Sequence, residues 1–294
     1  MRLNSSSNRI LNILKYLIHH STGRIGLVIL GSLTLVAVLA PFIAPYNPWK
    51  RVGVPMSPPS PQHLLGVNDA GQDIFSELIY GARVSLLIGF TSALLASLIG
   101  MLIGLLAGYF GGLVNRVLTA ATDIMLLTPA LPLMILLAIF IGPGLATIIT
   151  VITLTSWPPV SRMIRAQVLS IKNLPFIEAA KAIGSSDARI IFKYIAPQIL
   201  PLVITVSIIG SGEAMIAEAS LSFLGLGDPL AKSWGSMLHW AFRSGGFTYG
   251  AWWWFVPPGL CIALAVFGFA SLGYALEEYL NPKLSERKNW ARVV

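Results

Sequence analysis

Long uncharged stretches of apolar residues alternate with short polar segments along the whole chain. The first stretch covers residues 25–43 and is followed by residues 44–48, where two prolines disfavour further helix. The second covers residues 84–109, and no charge occurs between Arg83 and Arg116. A helix needs about 20 apolar residues to cross a bilayer, and both stretches have about that length. They therefore predict two membrane-spanning helices.

The rest of the chain repeats this pattern. Residues 120–160 contain only one charge, Asp123, and are long enough for two spans divided at the Gly-Pro-Gly sequence 142–144. Further apolar stretches cover residues 198–223 and 252–276. The pattern as a whole predicts an all-α, polytopic membrane protein with about six transmembrane helices.

Composition supports lipid as the main solvent of this chain. Only 11% of its 294 residues are charged, against about 25% in ordinary soluble domains, and the mean hydropathy is +0.75. The net charge of +8 does not require a nucleic-acid partner, because membrane proteins collect Lys and Arg in their cytoplasmic loops. The lone Cys261 excludes an intrachain disulfide.

The basic residues predict which side of the membrane each segment faces. With both termini in the cytoplasm, fifteen of the 20 Lys and Arg residues lie inside and five lie outside, as the positive-inside rule expects. The predicted organisation is a cytoplasmic segment at 1–24, a first transmembrane helix at 25–44, an extracytoplasmic loop at 45–83, a core domain of five transmembrane helices at 84–276 and a cytoplasmic tail at 277–294.

Two residue patterns predict packing and membrane depth. Gly100, Gly104 and Gly108 recur on one helix face, where absent side chains let a second helix approach closely. Residues 226–254 contain five tryptophans, which predict an aromatic belt at the membrane surface, and some of them are candidates to meet a partner protein outside the membrane.

The predicted cytoplasmic loop 172–197 reads as a short helix, a break and a second helix. Pro175 suits a first helical position, and Glu178 suits the positive end of the helix dipole. Gly184 suits a left-handed stop, and one of the two serines that follow can cap the next helix. The local pattern leaves two interpretations open, a linker helix on the membrane surface and a contact surface for a partner.

Three carboxylates lie within or at the ends of predicted spans: Asp123, Glu213 and Glu218. Intramembrane charge is costly, so each is a functional hypothesis. Glu213 and Glu218 are five residues apart and so lie on different sides of one helix. We favour hydrogen bonding between helices, or a polar lining for a translocation path, over a proton relay.

Several kinds of site are missing from the sequence. No Gly-Lys dipeptide occurs, so the phosphate-binding loop Gly-x-x-x-x-Gly-Lys is absent, and any ATP must be bound by another subunit. The four histidines and one cysteine show no spacing typical of metal ligands. No cofactor site is predicted in this chain. A nucleophile and base at recognisable spacing are also absent, which disfavours an intramembrane enzyme.

The sequence of the loop 172–197 resembles a known motif. Glu178-Ala179-Ala180, with Gly184 and then Pro197, is similar to the EAA loop of binding-protein-dependent ABC importer permeases, although Ala196 stands where that family usually has Leu. The resemblance implies that this loop is the coupling helix seated in a groove of a cytoplasmic ATPase. The coupling residues it implies are Glu178, Ala179, Ala180, Gly184, Ser185 and Asp187.

Residues 26–48, 63–83, 156–158 and 222–235 resemble, in order, the C-type permeases of dipeptide, oligopeptide and nickel importers. The resemblance implies a type I ABC importer permease in a bacterial or archaeal cytoplasmic membrane. It implies a B-type permease as partner, two cytoplasmic ATPase subunits that bind ATP and Mg, and an extracytoplasmic solute-binding protein. The chain itself is then a transport subunit without enzymatic activity.

Two alternatives remain open from the sequence. One is a secondary transporter or channel driven by an ion gradient, with Asp123, Glu213 and Glu218 as its relay. Such folds often contain inverted repeats, and the chain shows none. The other concerns the solute: peptides are the first expectation, and oligosaccharides or nickel are the alternatives.

Overall fold

The fold is a bundle of helices, seen in a computed structural model that describes residues 6–280, with side chains from residue 12 onward. The predicted cytoplasmic segments 1–24 and 277–294 lie partly outside these residues. The helices are α1 Ser6–His19, α2 Ser21–Ile43, α3 Ile74–Phe110, α4 Gly112–Leu127, α5 Ala130–Ile141, α6 Leu145–Ile171, α7 Pro175–Ala182, α8 Asp187–Arg189, α9 Ala196–Phe223, α10 Trp234–Arg243 and α11 Trp252–Leu280. A π-helical stretch, Ile190–Ile195, joins α8 to α9.

The predicted spans correspond to α2, α3, the pair α4 and α5, α6, α9 and α11. Within residues 6–280, four helical stretches are long and apolar enough to cross a membrane: α2, α3, Asp187–Phe223 and α11. The pair α4 and α5 adds a fifth if it counts as one span, although it bends by 95°. Helix α6 is long but less apolar, because threonines and two prolines occur among its apolar residues. The all-α, polytopic class is confirmed.

Helical structure extends beyond the predicted spans. Helix α3 begins at Ile74, ahead of the expected start at residue 84, because the Asp73 side chain accepts a hydrogen bond from the Ser76 backbone N–H and caps the first turn. The charged residues Glu77 and Arg83 are thus part of the helix and not of the preceding loop. The predicted N-terminal segment also contains α1.

The glycine face of α3 packs against α6, as predicted. A Cβ atom at Gly100 would lie 2.7 Å from Val160 Cβ, and one at Gly104 would lie 2.6 Å from the Ser161 carbonyl oxygen. Real Cβ atoms do not come this close, so only glycine permits this helix spacing. Helices α3, α6 and α9 form the centre of the bundle, and α2 and α11 pack beside them.

The tryptophans of residues 226–254 do not form one belt. Trp234 and Trp254 are buried in a cluster with Ile74 and Met215, whereas Trp240 and Trp252 are exposed. The Trp234 indole N–H also donates to the Leu78 carbonyl at 3.0 Å. The prediction of an interfacial belt is therefore wrong for Trp234 and Trp254, because the fold of this loop turns both rings into the protein.

Candidate functional site

The segment 172–197 has the predicted form of helix, break and helix. Helix α7 begins at Pro175, and Gly184 has a φ of +78°, the left-handed conformation that favours glycine. Ser186 then accepts a hydrogen bond from the Arg189 backbone N–H, so it caps the next turn in preference to Ser185. This segment lies at the end of α3 opposite to Ile74, because Asp187 contacts Tyr109 near the last turn of that helix.

The two faces of α7 have different surroundings. Ile177 and Ala180, one turn apart, are buried in a cluster with Ile164 and Ile195. Glu178, Ala179, Gly184 and Asp187 are exposed, and Ser185 is half-buried. The expectation that Ala180 offers its side chain to a partner is corrected: it is only 5% exposed, because the period of the helix turns it toward the core.

Polar contacts attach this segment to the end of α3. The Tyr109 hydroxyl donates to Asp187 Oδ1 at 2.5 Å, and Lys172 Nζ donates to the Gly108 carbonyl at 2.9 Å. The segment also continues α6 at its start and leads through the π-helical stretch into α9. The segment is therefore joined to the ends of α3, α6 and α9, the three helices at the centre of the bundle.

Sequence reasoning missed large apolar side chains beside the EAA residues. Phe176 and Phe192 are exposed, and Ile183, immediately before Gly184, is 80% exposed. We call Phe176, Glu178, Ala179, Ile183 and Phe192 the segment surface. Exposed apolar groups rimmed by charge are typical of protein contact sites. The detectable signal was the presence of two large apolar residues, Phe176 and Ile183, beside Glu178 and Gly184 in a predicted cytoplasmic loop.

The three predicted path carboxylates have different partners. Asp123 Oδ1 accepts a hydrogen bond from Arg162 Nη2 at 2.6 Å, in an exposed ion pair between α4 and α6. Glu213 is exposed and lines an open cavity of about 210 Å³ with Ser97 and Ser156. Glu218, in contrast, is completely buried.

The Glu218 carboxylate is surrounded by hydroxyl groups. It accepts hydrogen bonds from Ser222 Oγ at 2.8 Å and Ser85 Oγ at 3.3 Å. Ser85 Oγ accepts in turn from the Trp234 backbone N–H at 3.1 Å. This is the predicted hydrogen bonding between helices, since it joins α9 to α3 and α10. The three carboxylates form no shared cluster, and no group of three metal-ligating side chains occurs within residues 6–280.

A second polar network lies at the N-terminal end of α3, opposite to the segment 172–197. Lys232 Nζ donates to Glu77 Oε1 at 2.5 Å and to Gln72 Oε1 at 2.7 Å, and Asn68 Nδ2 donates to Glu77 Oε1 at 3.1 Å. We call this end, formed by residues 45–73 and 224–251, the loop end. Sequence reasoning missed the pair because Lys232 and Glu77 are 155 residues apart.

Comparison with known proteins identifies the family. Residues 100–286 match the family described as binding-protein-dependent transport system inner membrane component. The chain belongs to this family. Residues 11–59 match a second family, the N-terminal transmembrane domain of oligopeptide transport permease C. The segment 172–197 lies within the first match, and the predicted resemblance is confirmed.

Curated relatives and a solved structure agree with this assignment. The chain is 37% identical to the dipeptide transport system permease protein DppC of Bacillus subtilis, over 88% of this chain and 81% of that protein. It is 35% identical to the oligopeptide permease OppC of the same organism, over 88% and 85%. An inward-facing MetNI methionine ABC transporter has the same fold, with a TM-score of 0.55, 21% identity, and coverage of 70% and 95%. The two Bacillus subtilis relatives are transport permeases, which confirms the predicted class, and the solved structure supports the fold.

Proposed function

We propose that this chain forms half of the translocation pathway of an ATP-driven importer for di- or oligopeptides. A related B-type permease forms the other half, two cytoplasmic ATPase subunits supply the energy, and an extracytoplasmic binding protein delivers the solute. The names of the relatives, dipeptide and oligopeptide transport permeases, support peptides over oligosaccharides or nickel. ATP and Mg bind to the ATPase subunits, because this chain has no phosphate-binding loop.

The segment surface is the proposed contact site for the ATPase. Its exposed apolar groups would be covered by a groove of the ATPase, and Glu178 supplies a charge that orients the contact. When ATP closes the ATPase pair, the segment moves with it, and the bonds from Asp187 and Lys172 pull the end of α3 along. The helices then tilt between two packed arrangements that open the path to opposite sides of the membrane.

Glu213 is the proposed path residue. The described residues do not fully enclose its cavity, and the B-type permease would complete the wall of the path. Ser97 and Ser156 add hydroxyl groups, so this wall offers hydrogen bonds to the polar backbone of a peptide. Glu218 and Asp123 are assigned instead to contacts between helices, because their own partners already occupy them.

Orientation is tested by labelling single cysteines in a Cys261→Ala background with an impermeant thiol reagent. We propose that Ser185 faces the cytoplasm and that Pro58 and Gly245 face outside. Pro58→Cys is the better outside reporter, because Pro58 is exposed. Gly245 has a φ of +78°, a backbone conformation in which a cysteine would be strained. Labelling of Ser185→Cys from outside in intact cells would contradict this orientation.

The coupling role is tested by a matched pair of alanine variants. Ala179→Trp adds bulk on the exposed face of α7, so the chain should insert normally while ATPase copurification and solute-stimulated ATP hydrolysis fall. Ala180→Trp adds the same bulk inside the cluster of Ile177 and Ile195, so it should lower the stability of the chain itself. Normal ATPase assembly and normal stimulated hydrolysis in Ala179→Trp would contradict the coupling role and favour a linker helix on the membrane surface.

A further inference from the structure

Arg83 is a cation without an anionic partner in the part of the chain that the structure describes. It is exposed on α3, and its side chain makes no hydrogen bond or ion pair with residues 6–280. Its guanidinium carbon lies 5.9 Å from the centroid of the Tyr80 ring, a favourable but weak contact. A guanidinium at the edge of an apolar membrane region reaches toward the lipid headgroups, where an anion stabilises it. No described residue of this chain forms an ion pair with Arg83.

An apolar groove begins beside Arg83. Its volume is about 660 Å³, and it lies between α2, α3 and α11. Its lining includes Leu30, Thr34, Val38, Leu86, Phe90 and Phe269. Arg83 is the charged member of this lining, and Thr34 is its one other polar side chain. The groove thus combines a long apolar surface with a single positive charge.

The groove runs along the helices. On α3 its lining extends from Arg83 to Phe90, and on α2 from Val38 to Leu30. At 1.5 Å per residue these distances are about 10 Å and about 12 Å along the helix axes. Both are somewhat less than half of a hydrocarbon core of about 30 Å. The groove therefore has room for most of the length of one acyl chain in a single leaflet.

Arg83 also lies at the level expected for a lipid headgroup. It is the last charge before the uncharged stretch of α3, and aromatic residues lie toward the loop end from it. Trp49 and Tyr80 contact each other edge to face, with centroids 5.3 Å apart. A second cavity of about 460 Å³ adjoins Arg83 on this side, and its charged lining residues are Arg83, Asp228 and Lys232. Lys232 is already paired with Glu77, and the Asp228 carboxylate accepts hydrogen bonds from the Leu145 and Leu230 backbone N–H groups and none from Arg83. Among the described residues, Arg83 is thus the lining cation left to bind the phosphate of a headgroup.

We propose that this groove binds an anionic phospholipid. The Arg83 guanidinium donates paired hydrogen bonds to the phosphate, an arrangement that its planar geometry favours. The acyl chain lies against Val38, Leu86 and Phe90. A helix of the second permease is the competing occupant, but an apolar helix would leave Arg83 without an anion. The lipid supplies a phosphate for Arg83 and an acyl chain for the apolar lining of the groove.

The proposal is tested on the complete transporter, purified with all its subunits and depleted of lipid. Native mass spectrometry then follows binding of palmitoyl-oleoyl phosphatidylglycerol and of the matching phosphatidylcholine. The wild type should retain the anionic lipid preferentially, and Arg83→Gln should lower that affinity about fivefold, the effect of one basic residue near anionic lipid. Binding of phosphatidylcholine should not change.

Arg243→Gln is the matched control. Arg243 also lies over an aromatic ring, at 5.8 Å from the Trp240 centroid, but it does not line the groove. This variant should bind the anionic lipid like the wild type. Equal losses in Arg83→Gln and Arg243→Gln, or equal retention of the two lipids by the wild type, would overturn the proposal, because binding would then follow general surface charge.

Two changes inside the groove separate the lipid from a protein occupant. Thr34→Trp keeps Arg83 but fills the groove from an exposed position, so it should displace the lipid without unfolding the chain. A photoreactive benzoylphenylalanine in place of Val38, also exposed, should crosslink to phospholipid. Crosslinking to the second permease in place of lipid, or unchanged lipid binding in Thr34→Trp, would overturn the proposal.

Discussion

The two ends of the helical bundle satisfy their polar and apolar groups differently. At the loop end, Lys232, Glu77 and Asn68 bond to one another within the chain, and Trp234 is buried beneath them. At the other end, the segment surface exposes Ile183 and neighbouring phenylalanines. The buried charges of the loop end are thus paired within this chain, whereas the segment surface is formed by exposed side chains that a partner can cover. The difference predicts that mutations at the loop end change stability and mutations at the segment surface change assembly.

The largest expected effect comes from Lys232→Met at the loop end. The variant leaves the buried Glu77 carboxylate without its cation, and we expect the free energy of unfolding to fall by about 3 kcal/mol. Thermal denaturation of the purified chain in detergent measures this loss. The double variant Lys232→Met with Glu77→Gln should recover most of it, because no unpaired charge remains. A double variant as unstable as the single one would show that packing, and not charge, stabilises this end.

The next effect distinguishes two carboxylates of the same helix. Glu218→Ala removes the acceptor of Ser222 and Ser85 in a buried site and should cost about 2 kcal/mol. Glu213→Ala changes an exposed residue and should cost less than about 0.5 kcal/mol. Denaturation measures both costs, and peptide uptake by the reconstituted transporter should fall for Glu213→Ala despite its normal stability. Equal stability of the two variants would contradict the assignment of Glu218 to contacts between helices.

Gly184→Val should have a smaller effect on stability and a larger one on assembly. A β-branched residue at a φ of +78° costs about 1–2 kcal/mol, and the strain is confined to the turn because no atom lies within 4 Å of the added Cβ. Gly184→Asn is the control, since Asn tolerates the left-handed conformation. Copurification of the ATPase subunits should fall for the Val variant and be nearly normal for the Asn variant. Identical assembly of both variants would exclude this turn from coupling.

The smaller effect of the two ion-pair variants is expected at the pair between Asp123 and Arg162. These side chains are 46% and 63% exposed, so Asp123→Asn should change the free energy of unfolding by less than about 1 kcal/mol. The comparison with Lys232→Met tests burial directly, because both variants break one ion pair. A loss at Asp123 as large as that at Lys232 would mean that the partner permease or lipid buries this pair.

Much of the fold could be predicted from local patterns. Apolar stretches predicted α2, α9 and α11, and spaced glycines predicted the packing of α3 on α6. Pro175 predicted the start of α7, because its ring fixes a helical φ. Gly184 predicted the stop, because glycine accepts a positive φ whatever surrounds it. The start of α3 was missed because charged residues were assigned to the loop, although Asp73 caps a helix that includes them.

The sequence by itself determined the class, the family and the backbone form of the segment 172–197. Tertiary structure decided which of two adjacent alanines is exposed, which of two glutamates on α9 is buried, and that Lys232 meets Glu77. Helix formation depends on hydrogen bonds between residues four apart, so local sequence specifies it. The direction in which a side chain faces the core depends on helices far away in the sequence, and only their packing determines that direction.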